Sequence, residues 1–217
     1  MQKLLNLNLK NILLKFTSRD ITFPNQLSIL RIILAPVFLL LYISDNPLYK
    51  KLSVIVYVIA ALTDWYDGWY ARKYKMTTKV GVFLDPLADK ILTSSAFLLF
   101  CIIKIMDWWM LAIIIFRDII VTLLRSYDEY KGKTLKTSYI AKTKTFLQMT
   151  YIFVVLGLLF ILSFEVSQNI YNSINSFLFS KLNYLLLLVI SAITLLSGVL
   201  YFFENKSVNE INKKTKN

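Results

Sequence analysis

The chain has 217 residues, 57% of them hydrophobic and 18% charged, with a mean hydropathy of +0.57; this is one domain's worth of sequence, and its balance excludes a water-soluble globule. Histidine is absent and Cys101 is the one cysteine, which excludes histidine general bases, HExxH zinc centres, serine–histidine–aspartate triads and any disulfide or cysteine metal cluster within the chain. The net charge of +12 sits beside apolar segments, so it points to anionic headgroups and phosphorylated substrates and not to nucleic acid.

In chain order, residues 1–22 read as an amphipathic juxtamembrane segment. Leu5, Leu9, Ile12, Leu13 and Phe16 recur at helical spacing with Lys3, Asn6, Lys10 and Lys15 largely between them, the pattern of a helix lying on the inner leaflet. No small-residue cleavage site follows, so the segment does not read as a signal peptide. Pro24 and Asn25 then break the chain. Apolar runs follow at about 28 to 44, 51 to 71, 82 to 103, 107 to 126, 145 to 164 and 184 to 203. At about 1.5 Å per residue, each is long enough to cross roughly 30 Å of hydrocarbon. The expected fold is therefore all-α and integral to the membrane, with six transmembrane helices in a domain over 23–204, preceded by the short interfacial helix.

Six crossings put both termini on one side. Lysine and arginine concentrate in the two ends and in loops 72–80 and 125–144. The opposite loops hold only Lys50, Lys51, Lys104 and Lys181, and Arg31, Lys90 and Arg117 fall inside spans. The positive-inside rule then makes both termini cytoplasmic. From Glu204 onward Asn, Lys and Ser dominate, and the basic tail over 205–217 reads as disordered or as a short surface helix.

Four aspartates stand at the inner ends of the second and third runs. Helical positions three or four apart share a face, so Asp64, Asp67, Gly68, Ala71 and Arg72 form one stripe, and Gly81, Asp85 and Asp89 form another. A single aspartate at a helix centre costs about 2.5 to 3.5 kcal/mol on insertion scales, so four converging carboxylates call for cations. All-oxygen ligands suit Mg²⁺ or Mn²⁺, and two such ions about 3.5 to 4 Å apart clamp an in-line phosphoryl displacement. Gly68, Ala71 and Gly81 keep the helix surfaces low enough for a nucleotide diphosphate, and Arg72 offers a fork for phosphate. Asp64 lies about 12 Å from the cytosolic end of its helix, so the site opens to cytosolic nucleotides. Pro86 either kinks the third helix or marks its first turn.

The competing account has the aspartates capping helices or pairing with Lys73, Lys75, Lys79 and Lys90, which suits any one of them better than the whole spacing. A divalent-cation transporter would also line a path with carboxylates, but these gather near one side and the Gly/Ala/Arg spacing serves no such path.

Written out, Asp64-x-x-Asp67-Gly68-x-x-Ala71-Arg72, eight residues, then Gly81-x-x-x-Asp85-x-x-x-Asp89 resembles the signature of the CDP-alcohol phosphatidyltransferases. The resemblance implies Asp64, Asp67 and Asp85 as ligands of a two-metal site holding Mg²⁺ or Mn²⁺. It implies Asp89 as a further ligand or as the general base for the incoming hydroxyl, with Gly68, Ala71, Arg72 and Gly81 cradling CDP. It also implies six transmembrane helices after a short interfacial one and a homodimer; the expected location is a bacterial inner membrane.

Three further segments, Pro24-Asn25-x-x-Ser28-x-x-Arg31, Arg117-Asp118 through Arg125, and Lys142-x-Lys144-Thr145 with Gln148, resemble the branch of the family that forms phosphatidylglycerophosphate. Ser28 in place of Thr, Asp118 in place of Glu and Ala141 in place of Gly are departures. These segments supply Arg31, Arg117, Arg125, Lys142 and Lys144, a cationic set suited to the phosphate of glycerol 3-phosphate. The expected reaction transfers the phosphatidyl group of CDP-diacylglycerol to glycerol 3-phosphate and releases CMP. Inositol phosphate, serine or phosphatidylglycerol is the alternative acceptor.

Overall fold

A computed structural model of the chain describes residues 23–74, 81–130 and 139–214. The amphipathic segment read over 1–22, Lys75, Lys79 and residues 215–217 lie outside the described residues. Among these, every element is helical: α1 (Phe23–Ile43), α2 (Pro47–Tyr74), α3 (Gly81–Ile102), α4 (Trp108–Tyr130), α5 (Tyr139–Leu162), α6 (Gln168–Leu178) and α7 (Lys181–Lys214). The all-α expectation holds, and six of the seven coincide with the expected apolar runs. Two differences stand out. The short α6 lies where a loop was expected, because its apolar residues Ile170, Tyr171, Ile174, Phe177 and Leu178 are spaced for one helix face and never form a long run. The last helix continues to Lys214 through most of the polar tail.

Three helices are long and apolar enough by themselves to cross a membrane, over Asn25–Ile43, Tyr139–Leu162 and Lys181–Tyr201. The other three long helices, α2, α3 and α4, carry charged residues in their interiors: Asp64 in α2, Asp85, Asp89 and Lys90 in α3, and Arg117 and Asp118 in α4. Large apolar side chains point outward on all of these helices, among them Leu40, Leu62, Ile102, Phe116, Val154 and Leu196. A surface of that kind requires an apolar solvent, and the protein is a membrane protein.

Helix α1 packs on α2 and α3, α4 on α3 and α7, and α5 on α7 with edges against α2 and α3. The core where they meet is aromatic. Phe97 lies parallel to Tyr151 with ring centroids 6.5 Å apart, and Phe100 meets both edge-on at 5.9 and 6.0 Å. Tyr151 sends its hydroxyl to Asn183 of α7 at 2.9 Å, and the Asn183 amide reaches the Leu178 carbonyl at 2.7 Å, so polar atoms buried between α5, α6 and α7 are matched.

Helix α3 ends in a Schellman turn. The Ile105 amide bonds the Phe100 carbonyl and the Lys104 amide bonds that of Cys101, with Lys104 at φ 63° in the left-handed place usually given to glycine. The chain then turns directly into α4, whose far end returns to the start of α3. Pro86 lies in the second turn of α3, inside the helix rather than in its first turn, and it withholds the amide that would bond the carbonyl four residues earlier.

Candidate active site

The start of α1, the end of α2 and the start of α3 come together at one end of the bundle, and two cross-helix contacts fix them there. Arg31 of α1 is wholly buried and forms an ion pair with Asp64 of α2 through Nη1 and Oδ1. One turn earlier on α1, the buried Ser28 hydroxyl donates to Asp85 Oδ1 of α3 at 2.5 Å. The first helix thus holds one carboxylate from each half of the acidic motif.

Asp89 follows Asp85 by one turn and pairs with its neighbour Lys90, Nζ to Oδ2, at 2.8 Å. Asp64 and Asp89 line one cavity of about 190 Å³ between α2, α3 and α5, together with Tyr57, Leu92, Met149 and Phe153. The cavity wall is otherwise apolar, and Leu62 and Phe153 also face outward, so the two carboxylates meet a space continuous with the apolar surface.

Asp67, Gly68, Ala71 and Arg72 lie on α2 within about two turns after Asp64, and their side chains are outside the described set. Gly81 is the buried first residue of α3. Among the described residues no three acidic side chains gather closely enough to form a metal set. The donor chemistry nevertheless fits a hard divalent ion. All the carboxylates are oxygen donors, two of them share a cavity, and each described aspartate of the motif is engaged by a single side chain, Arg31, Ser28 or Lys90, that leaves lone pairs over.

A second polar centre lies between α4 and α5. Asp118, 4% exposed, accepts from the Lys144 ammonium, itself 1% exposed, and from Arg117 Nη1 at 3.2 Å. Gln148, one turn beyond Lys144, donates to Thr194 of α7 at 3.3 Å. Helix α7 approaches closely here because Gly198 has no side chain: a Cβ on it would come within 2.8 Å of Arg117 Cγ.

The five cations expected to hold an acceptor phosphate are therefore distributed. Arg117 and Lys144 are brought together on Asp118, and Arg31 is engaged with Asp64. Lys142 is exposed at the start of α5, and Arg125 is exposed about two turns beyond Arg117. Lys73 lies over the Trp69 ring at 4.5 Å from its centroid, and Lys90 pairs with Asp89.

The sequence assigns no role to Gly198, marks Ser28 only as a departure from a pattern, and offers Asp118 both as a departure and as a candidate partner of Arg117, the pair found at 3.2 Å. Asp118 had a usable signal, since a carboxylate inside an apolar run needs a cation and Arg117 is its neighbour in sequence.

A sequence model of the CDP-alcohol phosphatidyltransferases matches residues 21–205. The chain belongs to that family, and it is a transferase of phospholipid synthesis. Its relatives include the CDP-diacylglycerol--glycerol-3-phosphate 3-phosphatidyltransferases of Rickettsia bellii, Bacillus subtilis and Yersinia pestis (strain Pestoides F). The first is 37% identical over 60% of this chain and 72% of its own length, the second 34% over 58% and 72%, and the third 36% over 60% and 74%.

Proposed function

We propose that the protein transfers the phosphatidyl group of CDP-diacylglycerol to glycerol 3-phosphate, forming phosphatidylglycerophosphate and CMP, at a site facing the cytoplasm in a bacterial inner membrane. The observation that carries the reading is the meeting of Asp64 and Asp89 on one cavity, with Asp85 held beside them and the Arg117–Lys144 pair nearby on the same bundle. The names borne by the relatives support the acceptor, and the excess of basic residues in 72–80, 125–144 and the two ends supports a cytoplasmic site with both termini inside. In this reading α1 to α5 and α7 make six crossings, with α2, α3 and α4 keeping their charged residues toward the bundle interior. A homodimer accompanies it.

Asp64, Asp67, Asp85 and Asp89 would hold Mg²⁺ or Mn²⁺, two ions in all. The metal, when bound, spreads the negative charge of the diphosphate and eases departure of CMP. The chain's own residues do the rest. Arg31 and Ser28 fix the directions of Asp64 and Asp85, so the ligand oxygens are set before substrate arrives. Gly68, Ala71, Arg72 and Gly81 receive the CDP moiety. Arg117 and Lys144, with Arg125 and Lys142 at the rim, attract the phosphate of the acceptor and exclude an uncharged alcohol. Asp89 takes the proton of the acceptor hydroxyl as its oxygen attacks the lipid-side phosphorus and the bond to CMP breaks.

The test is purified protein with CDP-diacylglycerol, Mg²⁺ or Mn²⁺, and glycerol 3-phosphate, glycerol, inositol phosphate or serine, reading CMP and the lipid formed. Phosphatidylglycerophosphate is expected. Another lipid product sinks the acceptor assignment, and absence of CMP with every acceptor sinks the reaction.

A further inference from the structure

We infer that Asp118 is a positioning residue for acceptor recognition: its carboxylate gathers Lys144 and Arg117 into one buried, net-positive clamp for a phosphate monoester. The inference rests on the proposed reaction, and it assigns a task to a residue that reading leaves idle. Asp118 joins two elements, receiving Arg117 from its own helix and Lys144 from α5. All three side chains are buried or nearly so, at 4%, 12% and 1% exposed. Two cations against one carboxylate, beside a Lys90–Asp89 pair that balances itself, leave a surplus positive charge in a low-dielectric place. Such a surplus is costly unless a second anion completes it, and a phosphate monoester supplies the missing charge together with oxygens for both donors.

The geometry around Arg117 supports a receiving site over a plain structural pair. Its Nε is buried without a hydrogen-bond partner, so the guanidinium holds a donor in reserve. Gly198 of α7 supplies the space its stem occupies, since a methyl group there would press on Cγ at 2.8 Å. The Arg117 stem is therefore confined from one side by α7 and its head drawn by Asp118 from the other. Without the carboxylate, Lys144 and Arg117 repel one another and nothing described holds them together.

The experiment measures CMP release by the full chain in detergent while glycerol 3-phosphate and CDP-diacylglycerol are varied separately. For Asp118→Asn, KM for glycerol 3-phosphate should rise about tenfold or more while KM for CDP-diacylglycerol stays within about twofold, the mark of an acceptor-side loss. Asp118→Glu keeps the carboxylate and should recover most of the acceptor affinity. Gly198→Ala disturbs Arg117 from another helix and should reproduce the acceptor-selective rise, which covers the case of an Asp118→Asn protein too unstable to assay. Equal changes in both KM values, or no change in either, overturn the inference.

If the wild-type chain prefers an uncharged alcohol, the proposed acceptor falls. The positioning role is then read from thermal stabilisation by inorganic phosphate, whose loss in Asp118→Asn supports it and whose retention overturns it.

Discussion

The ion pair between Lys144 and Asp118 lends itself to a double-mutant cycle. Both side chains are almost fully buried, so removal of either one leaves an opposite charge in a low-dielectric place, at a cost of about 3 to 5 kcal/mol. Lys144→Met belongs at the low end, about 3 kcal/mol, because Arg117 still reaches Asp118 at 3.2 Å. Asp118→Asn costs a similar amount, about 3 kcal/mol, because the buried ammonium is left beside a second cation. The double variant carries neither the abandoned carboxylate nor the abandoned ammonium, so it should lose about 3 to 4 kcal/mol rather than the additive 6, a coupling of about 2 to 3 kcal/mol. Reversible unfolding in mixed micelles under an SDS gradient, followed by the fluorescence of Trp65, Trp69, Trp108 and Trp109, measures all four corners. Additivity within about 0.5 kcal/mol would refute the reasoning, because it would mean that the two charges do not sense each other in the folded protein.

Ser28→Ala removes the donor that fixes Asp85, and the metal concentration for half-maximal activity should rise about tenfold while the rate at saturating metal recovers; an unchanged activation curve contradicts the bracing role. Asp89→Asn should abolish CMP release yet leave binding of CDP-diacylglycerol in place, and normal turnover in that variant removes the assigned base. Chelation by EDTA should stop the reaction, with Mg²⁺ or Mn²⁺ restoring it and Na⁺ failing to; turnover that persists in excess chelator excludes the carboxylates as metal ligands.

The helices were legible because a bilayer imposes one length and one composition on anything that crosses it, and α1, α5 and α7 meet both requirements outright. Helix α6 was not, because Ile170, Tyr171 and Ile174 alternate with asparagines and serines and give no long apolar signal. The aspartates were legible for the opposite reason, since charge in a greasy run stands out.

Which charge meets which was hidden. The engagement of Arg31 with Asp64 and of Lys144 with Asp118 depends on which helices are neighbours, and one chain's order along the sequence does not contain that. Gly198 was silent as well, because a glycine in a helix reads as a weak position until the neighbouring Arg117 is seen filling the room it leaves.

That α1 grips both Asp64 and Asp85 has a bearing on how this protein can vary. A third helix therefore acts as a spacer bar between the two acidic rows. Loss of the hydroxyl at position 28 or of the guanidinium at position 31 shifts that spacing directly. Tolerance to sequence drift should therefore be low even in a helix that carries none of the four aspartates.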